Sequence, residues 1–122
     1  MNDFEKTLKK ARKTIKHRKL FNKKSYLMLM VSGGSDSVAL CYLIMASGIV
    51  NKNFAIMHLD HKLRDNSSED AKFVKNLADW LDVPFYCFSE DVKEAAKEDK
   101  NIEAAGHRLR YEYAHKACKM EL

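Results

Sequence analysis

Proline occurs once and glycine four times in 122 residues, so little of the chain is suited to irregular loops and much of it to helix. No apolar run reaches the roughly 18 residues that a membrane span needs. The opening residues, MNDFEKTLKK, contain no apolar signal-peptide core. Both absences point to a cytoplasmic protein away from any membrane. Cysteine is sparse: Cys41, Cys87 and Cys118 lie far apart, with no CxxC pair. That excludes a zinc cluster and a disulfide framework, and leaves free buried thiols in a reducing compartment as the expectation. Two common nucleotide signatures, GxxxxGK[ST] and GxGxxG, are also missing. Internal repeats and low-complexity tracts are absent as well.

Hydrophobic residues make up 46% of the chain and charged residues 32%, enough for one cored domain. The net charge of +5 is unevenly spread. Residues 1–24 hold ten Lys/Arg against two Asp/Glu, and the remainder holds twelve against fifteen. A basic segment on a near-neutral body suits a polyanion such as RNA, and equally suits a solvated helix face.

Phe4, Leu8, Ala11 and Ile15 recur at helical spacing, which predicts a basic amphipathic helix over 3–18. SYLMLMV (25–31), NFAIMHL (53–59) and PFYCFS (84–89) read as strands, the first as a fully buried one. Helices are expected over 36–47, ended by Gly48, and from Ser67 or Ser68 to Leu81. A short charged helix over 91–98 and a last one from Asn101 to about Lys119 complete the reading. Within them, Trp80 is expected in the core, and Ile102, Ala105, Leu109, Tyr113 and Ala117 on one side of the last helix. Alternating strands and helices predict an α/β fold, an open parallel sheet with helices on both faces.

SGGSDS (32–37) then falls between the first strand and the following helix, where open parallel sheets bind ligands. A Gly-Gly turn there is either a plain turn or an anion cradle. Ser32, Ser35 and Ser37 supply hydroxyls, the helix start supplies backbone N–H groups, and Asp36 suits a cation accompanying phosphate. These features favour the cradle.

The same stretch resembles SGGxDS, the pyrophosphate-loop (PP-loop) signature of the N-type ATP pyrophosphatases. HLDHKLR (58–64) is similar to the second motif of the tRNA(Ile)-lysidine synthetase family, and NIEAAGHRLRYEY (101–113) to its third. FVKNLADWLDVPFY (73–86) resembles the stretch between them. The resemblance covers about residues 25–115 and implies an adenine nucleotide alpha hydrolase-like, Rossmann-like sheet. It implies a ligase that uses ATP and Mg²⁺ to activate the wobble cytidine of a tRNA(Ile) with a CAU anticodon, after which free L-lysine displaces AMP to form lysidine. Carried over, Ser32, Gly33, Gly34, Ser35, Asp36 and Ser37 would hold the phosphates, with Asp36 also a Mg²⁺ ligand and Asp60 near adenine or ribose. His61, Arg64 and Arg110 would serve catalysis, Arg110 in preference to Arg108. His58 is expected to be structural.

The family's pattern continues into a fourth strand beside the first and into later tRNA-binding domains. The expectation is therefore that residues 1–122 are the N-terminal part of a PP-loop ATP-binding domain, ending after the third strand and its helices, with 1–24 as a basic helix. Strand 26–31 would then be an open edge prone to self-association. Two other readings compete. One is a different PP-loop pyrophosphatase, such as a tRNA thiolation enzyme, whose usual paired cysteines do not occur. The other is a non-catalytic nucleotide- or RNA-binding fragment.

Overall fold

Asn2 opens the first helix, α1 (Asp3–His17), by accepting the Glu5 N–H on its side-chain oxygen at 2.8 Å. Asp3 and Glu5 occupy the first turn, where the helix dipole favours negative charge. Ile15 is buried and Leu8 and Ala11 are half-buried, but Phe4 stays half-exposed, so the apolar stripe packs mainly through its later turns. The structure is a computed structural model that describes residues 2–60, 67–90, 94 and 101–121. The expected helix over 91–98 lies outside the described residues, apart from Glu94.

Three parallel strands, β1 (Leu27–Met30), β2 (Phe54–Asp60) and β3 (Phe85–Ser89), form a sheet in the order β1-β2-β3. The crossovers are α2 (Ser35–Ser47) and α3 (Ser67–Leu81). With that strand order, two crossovers of the same right hand place both helices on one face. Cys41 and Ile44 of α2 and Val74, Leu77 and Leu81 of α3 pack there on Phe54 and Ile56. The last helix, α4 (Ile102–Glu121), covers the opposite face, with Ala105, Leu109 and Ala117 on Met57 and Leu59. β2 is covered on both faces, which is why its sequence is a continuous apolar run rather than an alternation.

The ends of these elements follow from local chemistry. Gly48 closes α2 in the left-handed region at φ +69°, and Asn101 accepts the Ala104 N–H at 2.7 Å at the start of α4. Tyr113 stacks on Phe88 at 4.7 Å and donates to Glu90, whereas Glu121 accepts from Tyr26 and Tyr86. α4 therefore runs against the strand direction, and its first two turns lie toward the carboxyl ends of the strands.

Three expectations are corrected. β1 is half-buried rather than fully buried, because it is the sheet edge; flanking Tyr26 and its own Met30 are each 39% exposed. Trp80 is 68% exposed, because Val74, Leu77, Ala78 and Leu81 take the packed face of α3 and turn it outward beside Tyr42. Cys87 is exposed, and only Cys41 is a buried thiol, pushed up to about 11 by burial. No helix among the described residues is long and apolar enough to cross a membrane.

Candidate phosphate-binding site

β1 hands the chain to the loop at Val31, which is 2% exposed. Its N–H still donates to Met57 O at 2.8 Å, as a strand residue would. Its carbonyl instead meets His58 Nδ1 at 2.8 Å, and the His58 side chain is buried. A carbonyl only accepts, so Nδ1 carries the proton. The second motif thus pins the root of the loop, and the structural expectation for His58 holds.

Beyond Val31 the backbone turns through Gly33 at φ +96°, a conformation side chains disfavour. The loop is then tied internally. Ser32 N–H donates to Ser37 Oγ at 3.2 Å, Gly34 N–H to Ser32 Oγ at 3.2 Å, and the Ser37 hydroxyl to Gly34 O at 3.1 Å. The Ser32 and Ser37 hydroxyls lie 3.1 Å apart. These two serines shape the loop, while Ser35 and Asp36 lie exposed in the first turn of α2.

The start of α2 differs from those of α1 and α4. Each of the latter has an asparagine whose side chain accepts a first-turn N–H, whereas Gly34, the N-cap of α2, supplies no side-chain bond. The first intrahelical bond is Val38 N–H to Gly34 O, so the N–H groups of Ser35, Asp36 and Ser37 have no carbonyl one turn back within the helix. Three donors and the positive end of the dipole converge there, the chemistry of an anion site.

A second carboxylate borders the loop. A Cβ placed on Gly33 would lie 3.6 Å from Asp70 Cβ and 3.7 Å from one of its carboxylate oxygens. Asp70 comes from the first turn of α3, and the sequence alone does not single it out as a neighbour of the loop. The signal that could have found it is topological: α2 and α3 both start at the carboxyl end of the sheet, so acidic residues in their first turns are neighbours.

The other site candidates are less tightly gathered. Asp60 is half-buried at the end of the central strand, and its carbonyl accepts Glu90 N–H at 2.9 Å. His61 and Arg64 lie outside the described residues. Arg110 is exposed on α4, in the part of the helix near the carboxyl ends of the strands, whereas Arg108 pairs with Glu112 at 3.0 Å. Among the described residues, no three His, Cys, Asp or Glu side chains are grouped to hold a metal on their own.

Residues 2–122 match the PP-loop domain family. The chain is 34% identical over 121 residues to the tRNA(Ile)-lysidine synthase of Petrotoga mobilis, covering 98% of this chain and 38% of that protein. It is 38% identical over 97 residues to the tRNA(Ile)-lysidine synthase of Thermus thermophilus, covering 79% of this chain and 18% of that protein. With the Geobacter sulfurreducens protein of the same name the identity is 35% over 108 residues, covering 87% and 23%. The chain thus spans well under half the length of each of these curated relatives. Among solved structures, the NH3-dependent NAD synthetase of Campylobacter jejuni superposes with a TM-score of 0.69 over 98% of this chain and 54% of that one, at 16% identity. That likeness concerns the fold.

Proposed function

The chain belongs to the PP-loop domain family, and from that premise we propose that it is the ATP-binding part of a cytoplasmic tRNA(Ile)-lysidine synthase. The observation that carries the proposal is the uncapped start of α2, where the glycine turn and three backbone N–H groups converge beside Asp36. Triphosphate oxygens satisfy those donors, and the loop's own hydroxyl network holds the backbone in shape for them.

The chemistry divides between the substrates and the chain. The cytidine oxygen bonds to the α-phosphorus of ATP and pyrophosphate leaves; the lysine amine then bonds to C2 and AMP leaves. Within the chain, the α2 N-terminus orients the phosphates, His58 holds the loop root through Val31, and Gly33 makes the turn. Asp36 fits a Mg²⁺ ion, which habitually takes only one or two carboxylates and completes its shell with phosphate oxygens and water. Asp70 lies on the other side of Gly33. Asp60 is the last residue of β2, at the carboxyl end of the sheet, His61 and Arg64 of the same sequence motif are the proposed catalytic partners, and Arg110 offers a guanidinium for charge developing on phosphate. The wobble cytidine of tRNA(Ile) with a CAU anticodon and free L-lysine are the proposed co-substrates.

The open edge of β1 also supports association of two copies through residues 26–31. Leu27 N–H donates to Asn53 O, just before β2, at 3.0 Å and Val31 N–H to Met57 O of β2 at 2.8 Å, so strand alternation turns the N–H groups of Met28 and Met30 outward. The function is tested by lysine-dependent AMP release from ATP with tRNA(Ile). Release that requires both lysine and tRNA supports it, and lysine-independent release would sink it.

A further inference from the structure

The end of α2 remote from the loop borders a cavity of about 650 Å³. That volume is in the range of small-molecule sites. The cavity and the SGGSDS turn lie at opposite ends of α2, whose 13 residues span about 20 Å at 1.5 Å per residue. Ile15, Phe21 and Ile49 provide apolar walls, Lys16, Lys19 and Lys23 provide charge, and no carboxylate lines it. Gly48 leaves one side open, because a Cβ built there meets nothing within 4 Å.

The wall that carries Phe21 is a fixed turn. Lys19 sits at φ +52°, Leu20 N–H donates to Ile15 O at 3.1 Å, Asn22 N–H to Ser25 Oγ at 3.0 Å, and Lys24 N–H to Asn22 Oδ1 at 2.8 Å. Phe21 itself is half-buried against the core on the α2 and α3 face. The positive charge does not stop at the cavity: Lys9, Lys13 and Lys16 follow one another at i, i+4 and i+7 on the exposed face of α1. An apolar and aromatic pocket suits one base, and a line of ammonium groups leading away from it suits a continuous phosphate backbone.

We propose that this cavity takes one unpaired nucleotide of an RNA strand, with its base against Phe21 and its flanking phosphates on Lys16, Lys19 and Lys23. The choice of RNA rests on the tRNA reading above; the cavity, its charge and its distance from the loop do not.

The test is fluorescence anisotropy with two labelled probes of equal phosphate number, an RNA hairpin with an unpaired loop and a fully paired RNA duplex. Wild-type protein binds the hairpin more tightly. Phe21→Leu keeps the apolar packing and removes the ring, and it weakens hairpin binding fivefold or more while leaving the duplex unchanged. Lys19→Gln with Lys23→Gln weakens both probes and flattens the salt dependence. An unchanged hairpin affinity in folded Phe21→Leu overturns the proposal, as does an equal loss on the duplex. Displacement of the hairpin by AMP at a comparable concentration overturns the commitment to a strand. Mg²⁺-ATP binding is titrated in parallel: Phe21→Leu retains it, and loss of ATP binding with hairpin binding intact in Gly33→Ala separates failure at the loop from failure here.

Discussion

His58 Nδ1 lies 2.8 Å from the carbonyl oxygen of Val31, inside the sheet and one residue before the SGGSDS turn. The central strand thereby fixes the exit of the edge strand. His58→Phe keeps the bulk and removes the donor, leaving a buried carbonyl without it. We expect a loss of about 1–3 kcal/mol in urea unfolding and weaker Mg²⁺-ATP binding. His58→Asn places an amide N–H near the position of Nδ1 and should recover part of both. Equal behaviour of the two variants would remove the positioning role.

Arg12 is not a free cation of the basic helix. Its Nε and Nη2 donate to Ser47 O and Ala46 O at 3.1 and 3.0 Å, at the carboxyl end of a helix with no basic residue in its own last turn. Arg12→Lys retains the charge and loses the fork. It should destabilise the protein by about 1 kcal/mol and loosen α1 from α2. Thermal unfolding checks this, and an unchanged midpoint would contradict it.

Glu121 joins α4 to β3 and to the residue before β1 by accepting from Tyr86 and Tyr26, and those bonds hold its carboxyl below the ordinary 4.5. A lowered folded pKa gives stability that is present above 4.5 and lost as pH falls through the folded value. The tyrosines work in the other direction. Burial first and Glu121 second raise Tyr26, while the Glu121 bond chiefly raises Tyr86, so their contribution is lost as pH climbs above 10. Glu121→Gln should flatten the acid limb of a stability–pH curve as the pH falls below 4.5. An acid limb identical to wild type would show that the clip carries no linkage.

At the open edge, Met30→Pro removes an outward N–H and leaves the bonds to β2 in place. Wild type should elute as a species larger than one chain by light scattering at high concentration, and the variant as a single chain. A monomeric wild type ends the self-association idea.

Much of the architecture was readable because its signals are local. The apolar run NFAIMHL marked a strand, Gly48 a helix stop, and Asn101 a cap, and each stands where expected; full burial, expected of SYLMLMV, belongs to NFAIMHL instead, because strand order is not written in either run. SGGSDS was readable for the same reason, since turn, serines and helix start are contiguous. What escaped was non-local. Asp70 reaches Gly33 only because two helices begin side by side, and Arg12 finds α2 carbonyls 34 and 35 residues away. Trp80 was misplaced because a large apolar residue on a helix is usually packed, and here four smaller neighbours fill that face.

The central claim is that the turn from Ser32 to Ser37 binds phosphate, and calorimetric titration of Mg²⁺-ATP tests it most directly. Gly33→Ala strains a backbone at φ +96° by about 1–3 kcal/mol, and Asp36→Ala removes the carboxylate beside the helix start. We expect saturable binding to wild type, weakened tenfold or more in each folded variant. Binding of equal strength in all three proteins would place the nucleotide elsewhere and contradict it.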